Sequence, residues 1–278
     1  MAREPITVGV LSPGEMGAAL GRRLSAQGMR VVTWLEGRSE ATRRRALEAG
    51  ITSVERLEAL MAADLILSVV PPSQAPVVAG VVAQAAARCE PKPLYLDLNA
   101  VSPTSVRALA QPLQRQGVEV VDGAIFGGAS QVGGRTFLAL AGPAADRAFA
   151  LLHPALDLKV VGPSLGDASG LKMLYAGLTK GISSLAVELL AAAAKLEAES
   201  LILEWWGERF PDLTSFLAEG LPGLAARAGR RAQEMAELEA WLTSIGLSAA
   251  MAKAAKETLT QLAESSPKPP PAPPTRGE

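Results

Sequence analysis

Short apolar runs rich in β-branched residues alternate with stretches of helical periodicity from residue 6 to residue 161. This alternation is typical of βαβ units, in which parallel strands form a sheet with helices packed on its faces. The run Leu-Ile-Leu-Ser-Val-Val at residues 65–70 is apolar at nearly every position, as expected of a strand that is covered on both faces. We therefore predict an N-terminal α/β domain built on a doubly wound, central parallel sheet.

The elements of this domain are predicted from the same alternation. The strand candidates are residues 7–11, 30–35, 65–70, 94–98, 119–121, 136–140 and 159–161. The helix candidates between them include residues 16–26, 75–87, 103–115 and 144–152.

The strand signal stops after residue 162, and residues 167–262 are rich in Ala, Leu and Glu. A first long helix is expected from Asp167 or Ser169 to about Glu199, with an apolar stretch that suggests burial between two subunits. Beyond Ala263 six prolines fall in a short segment that cannot form a packed core. The predicted domains are residues 1–162, an all-α domain at residues 163–262, and a disordered Pro-rich tail at residues 263–278.

Composition excludes several classes of function. Lys and Arg number 27 against 28 Asp and Glu, a net charge of −1, which gives no electrostatic case for a nucleic-acid partner. Cys89 is the only cysteine and His153 the only histidine, so we expect no disulfide framework, no Cys/His metal site and no catalytic triad with a second histidine. No signal peptide and no apolar run of about 18 residues is recognised, so we expect a soluble, cytoplasmic protein that does not bind membranes.

The first predicted strand runs directly into a glycine-bearing turn and then a helix. This arrangement approximates the dinucleotide fingerprint G-x-G-x-x-G, in which the second glycine admits the pyrophosphate and the third lets helix and strand pack closely. Gly14 and Gly17 occupy those two positions, whereas Ser12 replaces the first glycine. We therefore predict that a dinucleotide cofactor binds at Ser12, Pro13, Gly14, Glu15, Met16 and Gly17.

The residues after the second predicted strand decide between the two nicotinamide cofactors. An acidic side chain there binds the ribose hydroxyls of NAD, whereas an arginine meets the additional phosphate of NADP. If Leu35 occupies the end of the strand, the acidic residue is missing and the following loop offers Arg38 and Ser39. A shift by one residue would place Glu36 at the ribose. We predict NADP, with NAD as the alternative.

These features together resemble the β-hydroxyacid dehydrogenase family, which includes 3-hydroxyisobutyrate dehydrogenase and is similar to 6-phosphogluconate dehydrogenase. The family's G-L-G-x-M-G resembles residues 12–17, its strand ending in Leu-Pro resembles residues 70–71, its D-M-S-S resembles residues 97–100, its D-A-P-V-S-G-G resembles residues 122–128, and its G-x-G-x-x-x-K-x-x-N resembles residues 166–175. The resemblance covers most of residues 6–262 and implies a Rossmann-type N-terminal domain.

The resemblance also implies roles for individual residues. Those that it places at the cofactor, beyond the first turn, are Val70, Pro71 and Asn99. Gly127 and Gly128 would offer backbone amides to a substrate carboxylate. Family members are dimers or larger, so the resemblance implies a homodimer formed through the helical domains.

The resemblance makes Lys172 the donor and acceptor of the proton. Two departures surround it, because Phe126 replaces a serine and Tyr175 replaces an asparagine of the family pattern. Tyr175 and Thr179 follow Lys172 at helical spacing and share its face, which favours a substrate site there. A lysine that extends from a helix end into solvent, beside a small polar stripe, is the alternative interpretation.

The sequence thus predicts an NADP-dependent oxidoreductase that transfers a hydride between the nicotinamide and a hydroxy acid or related carbonyl compound. The loss of a hydroxyl and an amide for two aromatic rings predicts a larger, less polar substrate than a small hydroxy acid. An imine reductase on the same fold is one alternative, and a non-catalytic dinucleotide sensor is the other.

Overall fold

The computed structural model describes residues 5–265. The chain forms two compact units, the first extending to Tyr175 and the second beginning at Ala176. The first unit therefore includes the start of the helical region that the sequence assigns to residues 163–262. The predicted tail at residues 263–278 is helical as far as Ser265, and the rest of it lies outside the described residues.

The first unit contains eight strands and five α-helices within the described residues. The strands are β1 (Thr7–Leu11), β2 (Arg30–Trp34), β3 (Thr52–Val54), β4 (Leu65–Ser68), β5 (Leu94–Asp97), β6 (Val120–Phe126), β7 (Phe137–Ala141) and β8 (Asp157–Gly162). The helices are α1 (Glu15–Ala26), α2 (Glu40–Glu48), α3 (Ala75–Ala86), α4 (Pro103–Arg115) and α5 (Ala145–Leu152).

The strands form one sheet in the order β3-β2-β1-β4-β5-β6-β7-β8. The chain builds outward from β1 in both directions, so the sheet is doubly wound and the predicted fold class is confirmed. Because β1 to β6 run parallel, their carboxyl ends meet at one edge of the sheet.

Two features of the sheet differ from the prediction. β7 runs antiparallel to β6, because residues 127–136 between them hold only one short 3-10 turn at Ala129–Gln131. A parallel neighbour would need a crossover of about a dozen residues or more, usually a helix. The strand β3 is absent from the predicted set, because its three residues include exposed Thr52 and Ser53 and form no apolar run.

Alternate residues of the strands face two separate hydrophobic cores. In β4, Leu65 and Leu67 pack with residues of α1 and α5, whereas Ile66 between them packs with residues of α3 and α4. Each of these three side chains is fully buried. The sheet is therefore the middle of three layers, which explains why its strands read as continuous apolar runs.

A buried polar network lies where β4 and β5 end. The Asp97 carboxylate accepts hydrogen bonds from the Asn99 amide nitrogen at 3.1 Å and from Asn99 Nδ2 at 2.8 Å. Asn99 Nδ2 also donates to Ser68 Oγ at 3.0 Å. Burial raises the pKa of Asp97 to about 7, the hydrogen bonds from Asn99 oppose this rise, and the charge of Asp122 adds to it.

The second unit is helical. It contains most of α6 (Asp167–Lys195), followed by α7 (Glu199–Arg209), α8 (Pro211–Gly220), α9 (Leu224–Ser244) and α10 (Ala250–Ser265). α6 ends four residues before the predicted end at Glu199, because Glu197 adopts a left-handed φ of 55° that closes the helix without a glycine. Within this unit Lys180 of α6, whose side chain is 12% exposed, pairs with buried Glu234 of α9 at 2.6 Å.

By length and composition alone α6 could cross a membrane, although the sequence analysis recognised no such stretch. A single helix of this kind is weak evidence for a membrane span, because core helices of water-soluble proteins meet the same criteria. In the second unit, α6 makes polar contacts that suit a protein interior, including the hydrogen bond from Ser184 Oγ to the carbonyl of Ala255.

The buried Asp97 carboxyl predicts a pH dependence of stability. The unfolded chain releases this proton near pH 4, whereas the folded protein holds it up to about pH 7, so the free energy of unfolding falls as the pH rises across that interval. Asp97→Asn, which cannot ionise, should reduce this slope by about 1 kcal/mol per pH unit between pH 5 and 6.5. Urea unfolding at several pH values measures it.

The matched control is Asp146→Asn, which changes an exposed carboxylate in the first turn of α5. This variant should keep the wild-type slope. An Asp97→Asn protein with the same slope as the wild type would contradict the assignment.

Candidate active site

The turn after β1 has the backbone shape that a glycine would ordinarily supply. Ser12, at the position of the first fingerprint glycine, has a left-handed φ of 58°. The Gly14 amide donates to the Ser12 carbonyl at 2.6 Å, which closes the turn just before α1 begins. A Cβ on Gly17 would lie 3.3 Å from Val10 Cγ1, so the helix approaches the strand closely at the third glycine position. The missing first glycine therefore leaves the turn intact.

The segment after β2 contains the residues that distinguish NADP from NAD in the prediction from sequence. β2 ends at Trp34, Leu35 is buried, and Glu36 is exposed. Arg38 is half-buried, and its Nε is a buried nitrogen without a hydrogen-bond partner. Ser39 caps α2, because its Oγ accepts a hydrogen bond from the Thr42 amide at 3.3 Å. An arginine with an unsatisfied nitrogen thus lies next to the start of a helix.

Asn99 joins the ends of β4 and β5. Its Oδ1 accepts a hydrogen bond from the Val70 amide at 2.6 Å, and its Nδ2 donates to both Ser68 and Asp97. The residue is buried, with 3% of its surface exposed. Pro71, which is exposed, then begins a short 3-10 turn. Asn99 therefore shapes the predicted cofactor segment at Val70 through its own side chain.

The residues present fit a dinucleotide. The first amides of α1, those of Glu15, Met16 and Gly17, belong to the turn of a helix that lacks internal acceptors and suits a phosphate. A Cβ on Gly14 would meet only one atom within 4 Å, the Ser12 carbonyl oxygen, so space remains at the second glycine position. The unpartnered Nε of Arg38 is a further donor for an anionic group.

Lys172 lies beyond the end of β6. It is half-buried on α6, and its Nζ donates a hydrogen bond to the Ile125 carbonyl at 2.6 Å. The same Nζ lies 5.0 Å from the centre of the Phe126 ring and 5.7 Å from that of Tyr175. The structure thus brings together Lys172, which matches the family pattern, and Phe126 and Tyr175, which depart from it.

Phe126 is the centre of a small group of aromatic rings. It stacks on Phe137 with centroids 4.9 Å apart, and Tyr175 meets it edge to face at 5.5 Å. Tyr175 remains 55% exposed. The surface beside Lys172 is therefore aromatic where the family pattern carries a hydroxyl and an amide.

The glycine pair after β6 is held by Thr136 and Gln131. Gly127 has a φ of 128°, and a Cβ there would lie 2.2 Å from Thr136 Oγ1, so only glycine fits. Thr136 Oγ1 donates to the Gly128 carbonyl at 2.8 Å. The Gly128 amide donates to Gln131 Oε1 at 3.4 Å, so one of the two amides predicted to bind a carboxylate already has an acceptor.

Thr179 and Lys180 belong to the second unit. Thr179 Oγ1 donates to the Ala176 carbonyl at 3.2 Å, within its own helix. Lys180, which the sequence places near the face of Lys172, forms the buried ion pair with Glu234. The structure therefore gives Lys180 a role in the interior of the helical unit.

Asp122 begins the motif at residues 122–128, but its contacts were not predicted from the sequence. Asp122 is fully buried, and its carboxylate accepts hydrogen bonds from the Gly166 and Ser169 amides and from Ser169 Oγ. Burial raises the pKa of Asp122, and the hydrogen bonds from Ser169 and Gly166 oppose that rise. The partners lie more than forty residues away in sequence, so local spacing carries no signal of this contact.

Among residues 5–265, no group of three or more His, Cys, Asp or Glu side chains is placed to hold a metal ion.

Two family models match the chain. The NAD binding domain of 6-phosphogluconate dehydrogenase matches residues 7–161, and a domain of unknown function, DUF1932, matches residues 193–262. An uncharacterized 28.5 kDa protein from the 7S RNA 5′ region of Methanothermus fervidus is 26% identical and covers 92% of this chain and 99% of its own.

Solved structures show the same relationship. A conserved protein of unknown function, reported as similar to 3-hydroxyacid dehydrogenases, is 30% identical with a TM-score of 0.71, covering 93% of this chain and 97% of its own. The 3-hydroxyisobutyrate dehydrogenase of Salmonella typhimurium shares the fold at 16% identity and a TM-score of 0.75, with 92% and 93% covered. The reductive aminase of Aspergillus terreus, in complex with NADPH and ethyl levulinate, shares it at 20% identity and a TM-score of 0.58, with 94% of each chain covered.

These matches confirm the family resemblance predicted from the sequence. The chain belongs to the dehydrogenase and reductase family defined by the NAD-binding domain of 6-phosphogluconate dehydrogenase.

Proposed function

We propose that this protein is an NADP-dependent oxidoreductase in which Lys172 supplies and removes the proton. The observation that carries the proposal is the location of the Lys172 amine, which hydrogen-bonds the Ile125 carbonyl at the end of β6. β6 belongs to the same parallel group as β1, β2 and β4, whose ends carry the predicted cofactor residues. Ligands of open α/β sheets bind outside the carboxyl ends of the strands.

In this proposal the cofactor binds at the carboxyl ends of β1, β2, β4 and β5. The first-turn amides of α1 hold the pyrophosphate, with Ser12, Pro13 and Gly14 shaping the turn. Val70, Pro71 and Asn99 line the cofactor. When bound, the nicotinamide supplies or accepts a hydride.

The selectivity for NADP is assigned to the segment after β2. Arg38 and Ser39 contact the 2′-phosphate, and the unsatisfied Nε of Arg38 supports this assignment because it is a donor that lacks an acceptor. Exposed Glu36 is the residue that would favour NAD instead.

Lys172 completes the reaction by moving a proton. In reduction, Nζ donates a proton to the oxygen of the carbonyl group while the carbonyl carbon receives the hydride. In oxidation, the neutral amine removes the hydroxyl proton as the carbon loses its hydride. The bond to the Ile125 carbonyl and the contacts with the Phe126 and Tyr175 rings hold the amine at this location.

The substrate in this proposal is larger and less polar than a small hydroxy acid. Phe126 and Tyr175 offer apolar rings beside Lys172, and Gly127 and Gly128 are further substrate residues of the first unit. The Gly128 amide, which already has Gln131 as an acceptor, is a weaker anchor for a carboxylate than a free amide would be.

The same aromatic pair favours a second candidate, reduction of an imine. An imine places no oxyanion near the amine and suits an apolar surrounding, and a structural relative is a reductive aminase bound to NADPH. A non-catalytic dinucleotide sensor is the third candidate. The lysine beside β6 argues against it, because a sensor has no need of a proton donor.

We also propose that the protein is cytoplasmic and that two copies assemble through α6. In the second unit, Leu178, Leu185 and Leu189 of α6 are between 46% and 67% exposed and recur at intervals of seven and four residues. This spacing places them on one face of the helix, and a second copy of the same face would cover them.

The role of Lys172 predicts the effect of its removal. Lys172→Ala should lower kcat by roughly a hundredfold to ten-thousandfold, the usual contribution of a general acid or base, and should leave the Kd of NADPH unchanged within about twofold. Nicotinamide absorbance measures turnover of 3-hydroxyisobutyrate, of ethyl levulinate, and of cyclohexanone with allylamine.

The matched control is Lys195→Ala, at an exposed lysine of the same helix. Lys180 is unsuitable as a control because it pairs with buried Glu234. Near-full turnover in Lys172→Ala together with its loss in Tyr175→Phe would move the proton donor to the tyrosine and favour imine reduction. Binding of NADPH without turnover of any probe would favour the sensor.

The NADP assignment predicts a selective loss. Charge-assisted contacts to a phosphate contribute about 1.5 to 3 kcal/mol, so Arg38→Ala should weaken NADPH binding about tenfold to a hundredfold and leave NADH almost unaffected. Fluorescence titration of both cofactors measures this. Arg44→Ala, at an exposed arginine of α2, is the control. Equal weakening of both cofactors, or a wild-type preference for NADH, would contradict the assignment and favour Glu36.

The assembly predicts a mass of two chains by light scattering at micromolar concentration. Leu185→Glu introduces a charge into the exposed leucine row and should shift the mass towards one chain. Leu47→Glu, at an exposed leucine of α2, should leave the dimer intact. A wild-type protein that scatters as a monomer would overturn the proposal.

A further inference from the structure

We propose that Asp122 is a positioning residue for the reaction: its carboxylate fixes the first turn of α6 against β6 and thereby sets where Lys172 Nζ lies. The functional consequence rests on the proposed role of Lys172. The positioning itself can be tested without it.

Three donors from the start of α6 converge on this carboxylate. Asp122 Oδ2 accepts from the Gly166 amide at 2.8 Å and the Ser169 amide at 3.0 Å, and Oδ1 accepts from Ser169 Oγ at 2.5 Å. Asp122 and Ser169 are both buried, with 0% and 1% of their surfaces exposed. Because both side chains are buried, water does not replace a hydrogen bond that is lost here. The start of the helix therefore has a defined location relative to the strand.

This arrangement differs from the caps of α2 and α4. Ser39 and Ser102 cap α2 and α4 from the residue that directly precedes each helix. α6 is capped by a carboxylate on a strand 44 residues earlier than Gly166. A local cap stabilises a helix wherever the helix lies, whereas a cap from β6 also ties the helix to the sheet.

Lys172 makes the second connection between the same two elements. It follows Ser169 by three residues, almost one helical turn, and its Nζ reaches the carbonyl of Ile125, which follows Asp122 by three residues on β6. The strand therefore holds the helix at its start and holds the amine one turn later. A shift of the helix start moves the amine, because the backbone between the two contacts is a single helical turn.

Such a shift is expected to affect the chemistry more than the binding of the cofactor. A misplacement of about 1 Å in a reacting group can reduce turnover by about a hundredfold. The hydrogen bonds between Asp122 and the start of α6 do not involve the predicted pyrophosphate site at α1. Loss of the Asp122 contact should consequently lower kcat and leave NADPH affinity unchanged.

The test uses Asp122→Asn and Ser169→Ala, with Asp146→Asn as the matched control. Asn keeps the shape of Asp without its charge: its Nδ2 cannot accept from the Ser169 hydroxyl, and the bonds that its Oδ1 accepts from the Gly166 and Ser169 amides lose their charge assistance. Ser169→Ala removes one donor and leaves the carboxylate in place, so it remains informative if Asp122→Asn fails to fold. Asp146 is an exposed carboxylate at the start of α5, outside the proposed machinery.

The first measurement requires no substrate. Reductive methylation with ¹³C-formaldehyde labels lysine amines, and the Lys172 signal is identified by its loss in Lys172→Arg. Because Nζ lies 5.0 Å from the centre of the Phe126 ring, its methyl carbons report their distance from that ring by their chemical shift. In Asp122→Asn this signal should move towards that of exposed Lys195, in Ser169→Ala it should move less, and in Asp146→Asn it should not move.

The second measurement is kinetic, with NADPH and whichever probe the wild type turns over. Asp122→Asn should lower kcat by about a hundredfold, increase the solvent deuterium isotope effect on kcat, and change the Kd of NADPH less than twofold. A purely stabilising role would lower only the folded fraction and leave the isotope effect unchanged. A folded Asp122→Asn protein with an unmoved Lys172 signal would overturn the proposal. If no probe is turned over, the proposed function fails, and the Lys172 signal alone decides the positioning.

Discussion

Two buried carboxylates on neighbouring strands connect the sheet to the segments that follow it. Asp97 and Asp122 are register partners of β5 and β6. Asp97 binds Asn99, which holds Val70 after β4, whereas Asp122 binds the start of α6. Burial of a carboxylate is unfavourable unless hydrogen bonds compensate it, so each segment is held where its donors satisfy these oxygens. This requirement orders the carboxyl edge of the sheet, where both the predicted cofactor residues and Lys172 lie.

The sequence predicted the parallel core of the sheet well, because burial on both faces makes strands such as β4 apolar at successive positions. It failed for β3, whose Thr52 and Ser53 are exposed at the edge and need no apolar partner. It also failed for the direction of β7, since direction depends on the length and shape of the connection at residues 127–136. Periodicity reports which faces are buried, and it does not report which way a strand runs.

In the candidate site, too, the sequence predicted some features and the fold determined others. The turn at Ser12 departs from the glycine pattern, yet its φ of 58° reproduces the shape, because a serine can occupy the left-handed region when the surrounding turn holds it there. Phe126 and Tyr175 were both identified from the sequence, but their contact with each other and with Lys172 is a property of the fold. The contact of Asp122 with Ser169 joins residues 47 apart, and no local motif contains it.

Lys172 and Lys180, two of the three lysines of α6, have different surroundings, and these surroundings favour different roles. Lys180 pairs with Glu234, whose side chain is only 4% exposed and which also pairs with Arg230 at 3.2 Å. Loss of the lysine's proton would therefore weaken the compensation of a buried carboxylate. Lys172 instead donates to the neutral carbonyl of Ile125 and lies against the Phe126 and Tyr175 rings. Of the two, Lys172 is therefore the lysine to which the proposed proton transfer is assigned.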